Sequence, residues 1–522
     1  MLYLAFIFHM HQPYYKNLLT QEAGLPWVRL HASKDYVDMV LLLEKFPAIH
    51  QTFNIVPSLL EQIEDYSKNL VKDKFVEYTL KEAASLTETD KDFLLNNFFM
   101  INPEKVISYS PRYYQLYFKK QDRGEFTAAD YLDLQVWFNL SWIDPYFRNS
   151  IPELKQLVSK GRFFSEEDKR IVLEKQLYIL SQTVPVYNKF IANKQLEATV
   201  SPYYHPILPL LCNTNIAREA NNKTVLPKTS FIYPQDAGKQ INDAVSFFKE
   251  RFGREALSGM WPSEEAVSEH ILPFIIEAGI NWIVADEAIL FRSLKKRKRD
   301  TKLLYQPHLL EREQGNLNII FRDRNLSDLI GFNYCKWSAT AAVDDLMKHL
   351  SNIAAVFKNK DILVTIAMDG ENAWEYYPND GHDFLELLYT RLSEADFLKT
   401  TTISEYLKTH PAENKIKRIS AGSWIYGEFG KWIGNPHKVK AWEYLAIARK
   451  ELENLSNSEQ RFAPGNKLDL AWKQMYILEG SDWFWWYGED YPGYFDRLFR
   501  MHMSNFYTLI NKEIPSYLNN PI

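Results

Sequence analysis

A (β/α) barrel with a helical insertion and a helical C-terminal part is the fold class this sequence predicts, and three observations predict it. Short apolar runs of strand character recur along the chain, each ending in a polar, aromatic-rich loop that carries His, Glu or Asp. Helical periodicity fills the intervals between them, the alternation expected of a parallel sheet. One long interval, residues 61–193, and the stretch after about residue 405 are helical almost throughout. Six or seven strands can be counted, short of a full eight.

The opening MLYLAFIF reads as a buried first strand, Leu2 to Phe8. It lacks a basic leader and a small-residue cleavage site, so it does not read as a signal peptide. His9 and His11 follow in HMHQP and, two residues apart in extended chain, point to one face. Buried structural histidines, half of a metal site, and hydrogen-bond partners for sugar hydroxyls are the three readings of that pair. A helix over Ser33 to Phe46, a second strand in HQTFNIV and a helix starting after Pro57 complete the first strand–helix–strand unit. In the insertion, Tyr113, Tyr114, Trp137 and Trp142 read as packing between helices.

Strand character returns at LEATVSPYYHPILPLL, with His205 in a proline-flanked loop just past the strand. Ser258 to His270, SGMWPSEEAVSEH, comes next. Gly259 can take torsion angles closed to other residues, Trp261 offers a broad apolar face and Pro262 fixes φ ahead of Glu264. From Ser263 the segment reads as a capped helix start, with Glu264 and Glu265 in its first turn. Strands follow at INWIVADEAIL, ending in Asp286 and Glu287, and at NIIFRDRNLSDLIGF, with Arg322, Asp323 and Asp328 beyond it. DILVTIAMDGENAWEYYP gives the last buried strand, with Asp369, Gly370, Glu371 and Trp374 at its C-terminal end. After it come an aromatic loop, GSWIYGEFGKWIGNP, and helices over His437 to Leu455, Leu468 to Glu479 and Tyr494 to Lys512. The last two flank the tryptophan-rich GSDWFWWYGEDY.

Composition excludes several classes. A net charge of -5, with acidic and basic residues mixed along the chain, leaves no footprint for nucleic acid or an anionic membrane. The basic run LKKRKRD, Leu294 to Asp300, reads as a solvated loop. No apolar run is long enough to span a bilayer. Cys212 and Cys335 are too few for a disulfide framework or a cysteine metal cluster, which points to a reducing, cytoplasmic compartment. Aromatic residues make up 15% of the chain, and many sit in segments that read as loops, a character of sugar-binding clefts, in which ring faces stack on pyranose rings.

Carboxylates on separate strand ends, histidines and aromatics around them, and the absence of a phosphate loop, serine elbow or cysteine nucleophile point to glycoside chemistry. Acetal cleavage needs an acid for the leaving oxygen and a carboxylate on the other side, about 5–5.5 Å apart for retention and about 6.5–9.5 Å for inversion.

Five segments, HMHQP, SPYYHPILPL, GMWPSE, DGENAWE and AWKQMYILEGSDWFWWYGED, resemble glycoside hydrolase family 57, in the family's order and over nearly the whole chain. Their forms are most similar to the amylopullulanase and α-amylase branch. The resemblance implies a distorted (β/α)7 barrel over residues 1–405, insertion included, and a helical domain over residues 406–522 that completes the cleft. It implies a retaining mechanism on α-glucans, with Glu264 as nucleophile and Asp369 as acid/base. His9, His11, His205, Trp261 and Glu371 would line the subsite at the scissile bond, and Trp424, Trp432, Asp482 and Trp483 would add sugar contacts. This reading requires no metal and no cofactor. A glucanotransferase or branching activity shares the intermediate; a metal-dependent deacetylase or mannosidase using His9, His11 and Asp369, and a silent glucan-binding protein, are the readings from other classes.

Overall fold

The computed structural model describes residues 1–253, 257–457, 467–488 and 493–522. Seven strands, β1 (Leu2–Met10), β2 (Gln51–Ile55), β3 (Leu196–Val200), β4 (Gly259–Met260), β5 (Trp282–Asp286), β6 (Gly315–Arg322) and β7 (Ile362–Asp369), run parallel in the order β7-β1-β2-β3-β4-β5-β6. β1, β2, β3, β5 and β7 are buried on both faces almost throughout, as strands walled by helices must be, while β6 is continuously buried only over its second half. β1 sits centrally. It pairs with β7 from Leu2 opposite Ile362 to His9 opposite Asp369, while β2 joins its upper half and a short strand, Leu398–Thr400, its lower end.

Among the described residues no ladder closes the ring between β6 and β7. Loop bonds bring them together instead: the Asp323 N–H donates to the Thr365 carbonyl at 2.8 Å, and the Ala367 N–H donates to Ser327 Oγ at 3.1 Å. The outer edge of β6 carries an antiparallel strand, His308–Arg312, turned by Gly315 at φ 137°. That hairpin is a departure from the purely parallel pattern expected.

The helical insertion is as expected, apart from a two-residue strand, Lys72–Asp73, paired with Glu22–Ala23. It has its own apolar core, into which Tyr113 and Trp137 pack; Tyr114 is exposed. Arg29 ties it to the first barrel helix, donating to Asp73 Oδ2 at 2.9 Å, Asn139 Oδ1 at 2.9 Å and Gln176 Oε1 at 2.5 Å from full burial. The C-terminal helices Pro436–Asn457, Lys467–Leu478 and Gly493–Leu509 share one continuous core with the barrel. Residues 489–491 of the tryptophan-rich segment lie outside the described residues. No described helix is long and apolar enough to cross a membrane.

Three local expectations are corrected. The helix expected over Ser33 to Phe46 is two short pieces, Asp38–Leu42 and Leu43–Lys45, preceded by a helix at Trp27–Ala32. Gly259 has no left-handed torsion; what it supplies is space, since a Cβ there would lie 2.1 and 2.2 Å from the Trp282 ring. The basic loop is largely solvated, but Arg299 folds back onto Glu287 and Asp323, 2.9 and 2.8 Å from their carboxylates.

Trp282 cannot retreat easily, because its Nε1 donates within a pair formed by Glu197 Oε1 at 3.1 Å and Ser404 Oγ at 3.2 Å. Gly259→Ala is therefore expected to cost about 1–3 kcal/mol by overpacking. Thermal melting checks this against Gly430→Ala, where a Cβ meets nothing closer than 3.9 Å and no loss is expected.

Candidate active site

The register of β1 and β7 is where the site begins. With His9 opposite Asp369, the chain leaving β1 runs beside the chain leaving β7, and the Gly370 N–H donates to the His9 carbonyl at 2.8 Å. A Cβ at residue 370 would meet Met10 Sδ at 2.3 Å, so glycine there leaves room for the buried Met10 side chain. Glu371 then turns inward, its Oε1 accepting from the His11 N–H at 3.2 Å and Gln12 Nε2 at 3.4 Å.

Glu264 reaches the same space from β4 by an unusual turn. Ser263–Glu265 is a single 3-10 turn without a side-chain cap, and Glu264 and Glu265 both adopt left-handed torsions, φ 59° and 50°. The expected helix does not form there, because after Ala266 the chain is bridged as extended backbone between Val267 and Gly422. Two consecutive non-glycine residues in this region are strained, and such strain persists only where the surroundings hold it. Here the Trp424 N–H donates to the Glu264 carbonyl at 3.0 Å, and Trp424 Nε1 donates to Glu264 Oε2 at 2.7 Å. The turn thus aims Glu264 into the cleft and buries Glu265 behind it.

A second bridge, Pro206 with Gly480, stitches the tryptophan-rich segment to the loop after β3, and the Ser481 N–H donates to the His205 carbonyl at 3.0 Å. This carries Asp482 to His11, Oδ1 to Nε2 2.8 Å. The imidazoles of His9, His11 and His205 stack against one another, His11 and His205 with ring centres 3.9 Å apart, and Trp261 lies parallel to His9 at 4.8 Å.

A recess of about 290 Å³ results, walled by His9, His11, His205, Glu264, Asp369, Glu371, Trp424 and Asp482. It shares Asp369, Asn372 and Trp424 with a neighbouring cavity of about 520 Å³. It shares Gln12, Tyr15, Trp486 and Phe495 with a third of about 1050 Å³, whose far wall includes Trp142 of the insertion.

Burial dominates the electrostatics. It pushes Glu264 up to about 8, reinforced by the Asp369 charge and opposed by the Trp424 hydrogen bond. Asp369 is also raised by burial, but Asn372, His11 and Arg322 pull it back. Glu371 is raised well above the ordinary range by burial and by Asp369. Burial lowers His9 to about 3 and His205 well below its usual value, so both are neutral at pH 7. His9 Nδ1, 2.6 Å from Asn54 Oδ1, then carries the proton, which leaves Nε2 as an acceptor.

Arg322 is the cation behind this wall. Its Nε donates to Asp286 Oδ2 at 3.0 Å, its Nη1 donates to the Ala367 carbonyl at 3.1 Å, and its guanidinium lies 5.0 Å from the Trp424 ring centre. Buried Glu265, pushed up to about 8 by burial and drawn down by Arg322, has neither oxygen hydrogen-bonded among the described residues.

Of the residues singled out from sequence, His9, His11, His205, Glu264, Asp369, Glu371, Trp424 and Asp482 line one recess, with Trp261 packed behind His9. Trp432 and Trp483 do not line it. Trp432 is buried against Trp485, which it backs, and Trp483 turns into the C-terminal core, donating to the Ile477 carbonyl at 2.8 Å. Trp485 and Trp486 face the recess instead. The signal was in the spacing: on the helix Ser481–Trp486, positions three and four after Asp482 share its face, and Trp483 does not. Gln12 and Asn372 also line the recess and were missed, although each lies inside a motif already noted.

His11, His205 and Asp482 offer ligand atoms within 4.8 Å of one another, and His11 Nδ1 and His205 Nε2 are buried without partners among the described residues. Two imidazoles and a carboxylate are a donor set for a cation, and equally one for sugar hydroxyls.

The family model for glycosyl hydrolase family 57 matches residues 5–418. An α-amylase of Dictyoglomus thermophilum is 24% identical over 277 residues, covering 52% of this chain and 34% of that relative, so the match spans about a third of the relative's length. In fold, the chain is similar to a branching enzyme from Pyrococcus horikoshii, with TM-score 0.63 and 17% identity over 98% of this chain and 90% of the other. It is also similar to an α-amylase from Thermotoga maritima, with TM-score 0.59 and 13% identity over 98% and 93%. With the family model spanning most of the chain, this protein belongs to glycosyl hydrolase family 57.

Proposed function

We propose that this chain is a retaining glycosidase of α-glucans, acting on α-1,4 linkages, with α-1,6 cleavage or transfer to a sugar hydroxyl as the alternatives open to the same intermediate. In this reading residues 1–405 carry the catalytic barrel and residues 406–522 complete its cleft. The observation that carries it is the meeting of Glu264 and Asp369, from two different strand ends, in one recess walled by histidines and tryptophans.

Double displacement assigns the two carboxyls opposite protonation states. Glu264, ionised, attacks the anomeric carbon as Asp369 gives its proton to the glycosidic oxygen, and the C1–O bond breaks. Asp369 then takes a proton from water, or from a sugar hydroxyl, as that oxygen displaces Glu264 from C1. Burial opposes the first requirement, since it holds a proton on Glu264 more tightly than usual. Trp424 works the other way: its neutral indole N–H donates to the carboxylate, and a hydrogen bond to a charged acceptor is strong in a buried site. The neutral His205 ring through Nε2, His11 Nδ1 and the second oxygen of Glu371 remain for sugar hydroxyls, and Trp485, Trp486 and Phe495 offer apolar faces to the ring.

Two experiments test the reading. With maltoheptaose and pullulan as substrates and products resolved by chromatography, shorter maltooligosaccharides are expected, with Glu264→Gln and Asp369→Asn each slower by about 10²–10⁴-fold. Longer oligosaccharides would establish transfer as the main reaction, and near-normal turnover by either variant would contradict the assigned roles. The second is the pH profile of kcat/KM. A nucleophile with a raised pKa loses activity as pH falls through that value, and Trp424→Phe removes an interaction that lowers it. The acid limb is therefore expected to move to higher pH in that variant; an unmoved limb, or one moved to lower pH, contradicts the role of the indole.

A further inference from the structure

A second cluster of potential ligands lies away from the recess, where the insertion meets the barrel. Asp144 caps the insertion helix Pro145–Ser150, accepting from the Tyr146 N–H at 2.7 Å. His382 opens the barrel helix His382–Glu394, with Nε2 2.9 and 3.0 Å from the two Asp144 oxygens. Asp38 opens the barrel helix Asp38–Leu42. One ligand atom from each of the three lies within 4.8 Å of the other two. Asp38 and Asp144 are 6% and 1% exposed, so water cannot serve them freely.

Two independent features call for a cation. Asp38 Oδ1 is buried with no hydrogen-bond partner among the described residues. Among the described residues the surroundings also carry an excess of acid: buried Asp35, Asp38, Asp144 and Asp380 face one buried lysine, Lys34, which pairs with Asp380, and the imidazoles of His31 and His382. Asp35 is hydrogen-bonded by His31, Oδ2 to Nδ1 2.6 Å, and has to share the Lys34 charge with Asp380. Buried carboxylates need a charge partner or a proton, and a proton alone leaves the Asp38 oxygen without a bond.

We propose that Asp38, Asp144 and His382 form a structural site for a first-row divalent metal ion such as Zn²⁺, which fastens the helical insertion to the barrel. The donor set is two carboxylates and one imidazole, which suits Zn²⁺ or Mn²⁺ better than Ca²⁺, an ion that takes six to eight oxygens. The cation replaces the proton that His382 shares with Asp144, and the third ligand, Asp38, ends its lack of a partner. Asp144 lies two residues from Trp142, which lines the largest cavity of the cleft, so the clasp also fixes part of that wall.

The test uses the full chain, dialysed against chelator and titrated with ZnCl₂ or MnCl₂ by calorimetry and thermal melting. Saturable uptake is expected at this site, with a melting temperature raised by about 2–3 °C at a hundredfold excess over Kd. Asp38→Asn and His382→Gln should weaken uptake at least tenfold, whereas His205→Gln, in the recess, should leave it intact. X-ray absorption of the Zn²⁺-loaded wild type needs no variant: one imidazole in the shell is expected. Two imidazoles, uptake lost in His205→Gln, or no saturable binding below about millimolar would overturn the proposal.

Discussion

The pairing of β1 with β7 is the constraint on which the rest of the molecule depends. It joins the first strand to one that begins 360 residues later, with Leu2 opposite Ile362 and His9 opposite Asp369. Because side chains alternate faces along a strand, a one-residue slip would turn His9 and Asp369 away from each other and bury the wrong set of side chains. Everything between the two strands, the long insertion included, has to be accommodated as an excursion from a sheet whose middle is already fixed. The His9 carbonyl and the Gly370 N–H continue that pairing past the strand ends, so the histidine motif and the carboxylate motif form a single corner of the cleft.

The remaining sides of the cleft are attached by short backbone bridges. Val267 with Gly422, and Pro206 with Gly480, tie the loops after β4 and β3 to segments from the C-terminal part of the chain. These contacts explain how Glu264 keeps a torsion that a glutamate ordinarily avoids: its own carbonyl and carboxylate are both held by Trp424. The indole therefore serves two purposes at once, holding the turn in place and favouring the ionised form of the side chain that the turn presents. Arg322, lying over the same indole and bonded to the Ala367 carbonyl, supports that arrangement from β6 and β7.

Much of this was legible in the sequence because it rests on periodicity and on compact motifs. Buried runs such as ILVTIAMD gave the strands, and loops ending in His, Glu or Asp gave the rim of the cleft. What escaped had physical reasons. The turn at Glu264 resembles a capped helix start in composition, and only its bridge to Gly422, 155 residues further on, prevents the helix. Gly259 invites an argument from torsional freedom, yet it is there because the Trp282 ring occupies the space of a side chain. Trp483 and Trp485 are equivalent in composition and differ only in the face of one short helix, so the spacing from Asp482, and not the richness of tryptophan, decides which of them meets the cleft. The Asp38, Asp144 and His382 cluster draws on three distant segments with no shared motif, and nothing in the linear pattern brings them together.

The central claim is that Glu264 is the carboxylate that attacks the sugar. It is tested most directly by trapping. Incubation with a fluorinated, activated α-glucosyl donor slows breakdown of a glycosyl-enzyme, and peptide mass mapping then locates the attached sugar. One glucosyl group is expected on Glu264, absent from Glu264→Gln and formed only slowly in Asp369→Asn if the donor's leaving group needs a proton. A sugar on Glu265, Glu371 or Asp369, or turnover of the donor with no covalent species at all, would contradict it.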